Sequence, residues 1–357
     1  MNRIFRLTGL FIVIFAHYFM MPGLLNGQVA EREIRMEYDA DKSTIVNIDS
    51  KFGKTEILNW DKPEVSIYVK LSAESENKEL AEETLAKLNS EISEEGNEIF
   101  IKTSIEDRIT STPRKKIKFS IDYTIHVPEW INIELLSKYG TVFIERINGN
   151  ADITVQYGNL TIRELTRGNV KPLNEVVLAY SRGIIDKASW LKTDLSYSKL
   201  TLEEGRAVVS VSKYSSLNSE NINSLVADSK YDTYSVGSTY NFAGQMKYAN
   251  LKLNELNGKL DISSSYTNVK IEHVLPGFEL LNIENTRGNY KINISGDASF
   301  EINGDAIRGD ISVEGISDLN KKIVNANKTI RGSYGSKDQA GEIKIITTEG
   351  NIKIIVD

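Results

Sequence analysis

Cysteine is absent from all 357 residues, which excludes disulfides, thiolate metal sites, a cysteine nucleophile and a lipid-modified cysteine anchor. Histidine is nearly as scarce, with His17, His126 and His273 the three copies. A zinc site needs several ligands close together, and no further histidine or carboxylate cluster stands beside these, so neither a metal nor a cofactor is expected. Lys and Arg form no cluster of the kind that grips a phosphate backbone, and both signs of charge are interspersed, so no nucleic-acid partner is expected. Beyond Leu25 no long apolar run occurs, which leaves no membrane span after the leader. Calcium-binding Gly-Gly-x-Gly-x-Asp repeats and the strict hexapeptide pattern of left-handed solenoids are also missing.

The first residues carry Arg3 and Arg6, then an uncharged apolar run from Leu7 to Met21, then Asn26-Gly27-Gln28. This is the layout of a signal peptide over residues 1–27, with cleavage after Gly27. A retained membrane anchor is the alternative, because Leu7 to Leu25 approaches the ~20 residues of a spanning helix, but His17, Pro22 and Gly23 interrupt it. Export to the periplasm or cell surface is the expectation. Loss of Arg3 and Arg6 leaves 41 of the 43 basic residues against 49 acidic ones, a surplus of eight negative charges.

A repeat organises most of the chain. Tyr180, Tyr197, Tyr214, Tyr231 and Tyr248 follow one another at 17 residues, Tyr266 comes 18 later, and Tyr139 and Tyr157 are also 18 apart. Each is followed by a short residue: Gly140, Gly158, Ser181, Ser198, Ser215, Asp232, Ala249 or Thr267. Such residues tolerate a tight corner. Beyond the corner, apolar residues recur with period two, as Val142 and Ile144, Leu160 and Ile162, Leu200 and Leu202, Leu251 and Leu253, or Val269 and Ile271. One strand-turn-strand unit this short cannot bury its apolar face alone, whereas stacked copies bury a continuous core. The predicted fold is mainly β, a parallel β-solenoid spanning 131–357 with repeats of about 17–18 residues, right-handed by the default for parallel connections. An antiparallel sandwich is the rival. Gly-x-apolar-x-apolar units at Gly288, Gly309, Gly341 and Gly350 predict that the coil runs on to the end of the chain.

Residues 28–130 read differently, as a β-rich cap region with one helix at about 77–94. Ala81, Leu85, Leu88 and Ile92 fall on one helical face, and Gly96 is the expected stop. The order Ser50-Lys51-Phe52-Gly53, Asn59-Trp60-Asp61, Val65-Ser66-Ile67, the amphipathic helix, then Val127-Pro128 leading to Ser137-Lys138-Tyr139-Gly140 resembles the "putative adhesin" family of exported bacterial β-solenoid proteins of unassigned activity. The resemblance covers nearly the whole mature chain, implies an architecture, and carries no catalytic motif. Tyr180 departs from the pattern, since Ser181 replaces the glycine, which leaves the corner geometry open.

Candidate chemistry is sparse. Asp186, Glu203, Glu204 and Glu220 fall near one another in the repeat register and invite comparison with the paired carboxylates of glycoside hydrolases; solvated outward side chains are the plainer expectation. Ser196 to Lys199 and Ser210 to Lys213 match the Ser-x-x-Lys pattern of acyl-transfer enzymes, but in strands residues three apart point to opposite faces. The Tyr column, Tyr139, Tyr157, Tyr180, Tyr197, Tyr214, Tyr231, Tyr248 and Tyr266, is the most distinctive feature. Its parity with Ile153 and Val155, or Val176 and Leu178, predicts an inward ladder; an exposed stripe on which sugar rings or a partner stack is the alternative. No catalytic residue is assigned. The expected function is that of a non-enzymatic, adhesion-like envelope protein, scaffolding or ligand-binding, with an unknown envelope protein or glycan as partner. A polysaccharide-active enzyme and an envelope sensor with a membrane partner are the alternatives.

Overall fold

The computed structural model describes residues 27–106, 117–316, 320–324, 327–336 and 340–357. The expected leader, 1–27, lies outside them except for its last residue. The chain divides into two compact units, 1–145 and 146–357.

In the first unit, Ile45–Lys51 pairs in parallel with Glu98–Ile105 on one edge and Asn132–Lys138 on the other. Lys54–Asn59 likewise lies in parallel between Ile117–Val127 and the strand that begins at Thr141. Ser50 faces Ser137 and Lys51 faces Lys138, so Ser50-Lys51-Phe52-Gly53 and Ser137-Lys138-Tyr139-Gly140 are corners of adjacent coils. Coil-forming chain therefore starts inside the region expected to be a cap. Antiparallel strands border that first coil: Gln28–Asp39 pairs with Glu64–Ser75, which pairs with Ile117–Val127, and Leu88–Glu95 pairs with Glu98–Ile105. Strict alternation drives this packing, since Val65, Ile67, Val69, Leu71 and Ala73 are all buried along one strand.

The helix α1 (Lys78–Ala86) is half the length expected. Asn77 caps it, its side chain accepting from the Leu80 N–H at 3.3 Å, and Glu79 stands favourably in the first turn. It buries Ala81 and Thr84. From Leu88 the chain is a strand, because Leu88 and Ser90 also satisfy a period of two and the Glu98–Ile105 strand offers a full antiparallel partner. Gly96, expected to stop the helix, instead sits at φ 68° in the hairpin turn between Glu95 and Glu98.

The second unit is the parallel β-solenoid. Arg182–Ser196, Lys199–Lys213, Ser216–Lys230 and Thr233–Lys247 stack in parallel, in register along their length, followed by Asn250–Ser265 with one irregularity at Thr239/Asn241. Inside each coil the alternation slips twice in succession, at Glu203 and Glu204 between buried Leu202 and Gly205 and at Arg206 and Ala207 between Gly205 and Val208, and together the two slips make a blunt bend. This blunt bend lies opposite in sequence to the sharp tyrosine corner. Leu200, Leu217, Tyr234 and Leu251 form one buried column and Leu202, Val236 and Leu253 belong to the next.

The last coils are not stacked in sequence order. Gly341–Thr348 lies in parallel between Leu280–Thr286 and Phe300–Ile307, and Asn351–Val356 lies between Asn289–Ile294 and Asp310–Glu314. The coil does continue to these residues, as the glycine spacing predicted, but the 341–356 coil is inserted between two earlier ones. Its two strands bury Ile343, Ile345, Ile352 and Ile354, which suits a place with parallel neighbours on both edges. Phe300–Ile307 instead has an antiparallel neighbour, Asn327–Tyr334, itself paired antiparallel with Asn320–Val324. That hairpin covers a sheet edge that would otherwise expose unpaired backbone groups.

Candidate functional site: the tyrosine corner

Every tyrosine of the repeat is the left-handed residue of its corner, with φ between 50° and 62° from Tyr157 to Tyr266 and 57° at Tyr139. This corrects the inward assignment. Strand parity is not carried through a left-handed residue, so the rings turn outward, each 40–53% exposed. In the second unit Tyr157, Tyr180, Tyr197, Tyr214, Tyr231, Tyr248 and Tyr266 form one stacked column with ring centroids 4.8–5.1 Å apart and planes within 18° of parallel. A left-handed conformation costs a non-glycine residue about 1–2 kcal/mol, and a stacked aromatic pair returns roughly 0.5–1.5 kcal/mol. The two terms are of similar size, so the ladder offsets the strain of its own corner.

The residue after each tyrosine completes the corner. Ser181 donates its backbone N–H to the Ser198 hydroxyl at 3.0 Å, Ser198 to that of Ser215 at 3.1 Å, and Ser215 to the Asp232 carboxylate at 2.7 Å. Each serine hydroxyl in turn donates to the carbonyl two residues back, as Ser198 does to Ser196 and Ser215 to Lys213. These residues therefore form a hydrogen-bond ladder, and glycine is unnecessary because the left-handed residue is the tyrosine before them. In the first unit the position is tighter: a Cβ on Gly140 would stand 2.5 Å from the Gly53 carbonyl oxygen. There Phe52, at φ 56°, stacks on Tyr139 at 5.1 Å. Phe52 is a corner residue that the tyrosine spacing does not reveal, though the matched Ser-Lys-aromatic-Gly strings carry the signal.

Asp232 is the ladder's one carboxylate. Buried at 3% exposure, it accepts from the Ser215 and Lys230 backbone N–H groups and from the Ser212 and Ser229 hydroxyls, all at 2.7–2.8 Å. Beside it the Tyr234 hydroxyl bonds those of Ser210 and Ser212, and burial pushes its pKa up to about 12. Beyond Tyr266 the corner residues become Arg287, Glu349 and Arg308, each left-handed and each followed by glycine. Arg287 lies over the Tyr266 ring at 5.5 Å and bonds its hydroxyl, while Glu349 accepts from both arginines. The Arg287 hydrogen bond holds the Glu349 carboxyl below its usual range.

An open groove of about 620 Å³ runs beside Tyr157, Tyr180, Tyr197 and Tyr214; Gly158, Ser181, Ser198 and Ser215 line it, as do Asn159, Arg182, Lys199 and Ser216. Because neighbouring rings cover one another's faces, the column offers edges and phenol hydroxyls rather than stacking platforms. Lys213 and Lys230 place their ammonium groups 5.4 and 5.5 Å from the centroids of Tyr214 and Tyr231.

The other candidates lie elsewhere. Asp186, Glu203, Glu204 and Glu220 are brought to the blunt bend, where Glu204 pairs with Lys187 at 3.2 Å and Asp186 with Arg163 at 3.9 Å. Ser210 is fully buried while Lys213 is exposed, and Ser196 and Lys199 flank the Tyr197 corner, so neither serine meets its lysine. His126 packs against Trp60 at 5.5 Å, and His273 is exposed opposite Glu255. Among the described residues no three His, Cys, Asp or Glu side chains gather as a metal site, and no helix is long and apolar enough to cross a membrane.

No protein-family model matches the chain, and no curated protein does. It is similar to a solved structure from Clostridium sporogenes described as a "putative cell adhesion protein", at 12% identity and a TM-score of 0.19, covering 92% of this chain and 100% of that one. It is also similar to structures described as a "putative adhesin" from Parabacteroides distasonis, at 9% identity and TM-score 0.37, and from Parabacteroides merdae, at 9% and 0.30. Each of these two covers 92% of this chain and 97% of its own. The solenoid assignment rests on the strand pairing above rather than on these likenesses.

Proposed function

We propose that this chain is a non-enzymatic, adhesion-like protein of the cell envelope, exported by its leader, that holds an extended ligand along the tyrosine corner. The observation that carries this is the row of seven half-exposed tyrosines repeated at one strand spacing, four of which line an open, shallow groove. Contiguous exposed aromatic surface marks interaction sites more often than idle surface. A groove with an identical step on every coil suits a ligand with its own linear repeat, because many weak contacts then add along one chain. Phenol hydroxyls and the Asn159, Arg182, Lys199 and Ser216 side chains offer hydrogen bonds of the kind a glycan accepts and donates. The carboxylates singled out from sequence stand on the bend, two of them in solvated ion pairs, which favours binding over hydrolysis.

The test uses the mature chain on a panel of envelope polysaccharides and envelope proteins. The triple substitution Tyr180→Phe, Tyr197→Phe, Tyr214→Phe keeps the stacked rings and removes three hydroxyls. It should melt close to the parent and bind its ligand several-fold more weakly. Binding that is indifferent to this change would move the site away from the corner; turnover of a polysaccharide would favour the enzyme instead.

A further inference from the structure

We infer that the ligand of this corner is a linear acidic polysaccharide, an inference that rests on the corner being a ligand face. The observation is the placement of positive charge without a carboxylate ion pair, Lys213 and Lys230 lying instead over the Tyr214 and Tyr231 rings. Lys213, Lys230 and Lys247 occupy the same position, immediately before the tyrosine, on three successive coils and pair with one another in register. On the other side of the corner Arg182 and Lys199 are register partners in the same way. All five are exposed, and none makes an ion pair with a described carboxylate. Several other lysines of the same unit are paired, as Lys187 is with Glu204, Lys192 with Glu175, Lys259 with Glu279 and Lys270 with Glu272. Asp228 and Asp232 each stand two residues from Lys230; Asp232 is buried, and its carboxylate takes the Lys230 backbone N–H rather than the ammonium, while Asp228 forms no ion pair with it.

Like charges stacked at one strand spacing repel, and a chain whose mature form carries eight surplus negative charges has carboxylates enough to relieve them. It instead keeps two cationic rows flanking the tyrosine corner. A polymer bearing a carboxylate or sulfate on its repeating sugars meets both rows with charge and the hydroxyl edges with hydrogen bonds. Single-stranded nucleic acid fits less well, because such sites stack bases on open aromatic faces, and here the faces are covered by neighbouring rings.

The experiment titrates the full mature chain with polygalacturonate, with neutral dextran, and with single-stranded DNA of matched length, each at low and at physiological salt. It is repeated with Lys213→Gln, Lys230→Gln, Lys247→Gln, and with a control of equal charge change, Lys78→Gln, Lys118→Gln, Lys344→Gln. Polygalacturonate should bind, weaken with salt, and lose about tenfold or more in the corner variant but not in the control. Removing three cationic contacts should also make the salt dependence of polygalacturonate binding shallower in the corner variant than in the control. Equal, salt-insensitive binding of dextran, unchanged in the corner variant, would overturn the acidic assignment while leaving the corner as a ligand face. DNA binding as tightly as polygalacturonate would overturn the choice of polysaccharide. If no acidic polymer binds, the inference falls; the corner itself falls only if the tyrosine-to-phenylalanine triple also leaves every ligand of the panel unaffected.

Discussion

Replacing Tyr214 separates an outward left-handed corner from an inward strand position. Its ring lies 4.9 Å from that of Tyr197 and 4.8 Å from that of Tyr231, its φ is 53°, and it is 42% exposed. Tyr214→Ala deletes two ring contacts worth roughly 0.5–1.5 kcal/mol each, so a loss of about 1–3 kcal/mol is expected. The strain of the left-handed backbone is present in parent and variant alike and does not enter. Tyr214→Gly deletes the same contacts but also relieves about 1–2 kcal/mol of that strain, against about 0.5–1 kcal/mol of extra chain entropy in the unfolded state. Glycine should therefore be milder than alanine by about 0.5–1 kcal/mol, the reverse of the order inside a strand. Urea melts of the two variants, with hydrogen exchange followed over residues 199–230, measure the difference. A glycine variant less stable than the alanine variant would refute the corner geometry, because that order belongs to an ordinary strand residue.

Other outcomes follow from the same geometry. Ser215→Ala removes the acceptor of the buried Ser198 N–H and should cost about 1–3 kcal/mol in a denaturant melt, the usual penalty for an orphaned donor. Asp232→Asn turns an amide N–H toward a site that supplies four donors, so it should destabilise more than Asp232→Ser, which restores the residue of the neighbouring corners. Burial raises the Tyr234 pKa from 10.0 to about 12, so the unfolded chain releases this proton first. The stability it contributes is whole below pH 10 and drains away as pH rises toward about 12; the loss, about 2–3 kcal/mol at most, should be missing in Tyr234→Phe when melts are compared across that window. Removal of residues 341–357 strips a shared parallel partner from Leu280–Ile294 and Phe300–Glu314, so limited proteolysis should cut within 280–336 while sparing 182–247.

The tyrosine period disclosed the coils because each ring must sit on the next, and a strict side-chain spacing is what such stacking leaves in a sequence. Phe52 escaped it: the aromatic was exchanged and the chain from Glu64 to Val127 separates it from Tyr139. Parity with the preceding strand points the rings inward, but alternation is a property of extended backbone, and one residue at φ near 55° ends it. The stretch after Ala86 satisfied a helical and an extended period at once, and only a tertiary partner, Glu98–Ile105, decides between them. Arg287, Glu349 and Arg308 are hidden as corner residues because their side chains are unlike tyrosine, although the glycine after each is legible. The position of the 341–356 coil could not be read at all, since pairing order is independent of chain order once the connecting segment is long enough to return.

That insertion sets a schedule for the chain's emergence. Coils from Tyr157 to Tyr266 receive their neighbours in the order in which they are synthesised, so each can close on the one before it. Residues 300–314 break that order. When they arrive, the strands that will lie between them and residues 280–294 are still some thirty residues behind. Until 341–356 follow, two parallel edges stand open with nothing of this chain between them, and those edges are templates for any other extended segment nearby. The 341–356 segment thus acts as a keystone: it finishes the wall and, by occupying the gap, removes the interval in which a second molecule could pair there instead.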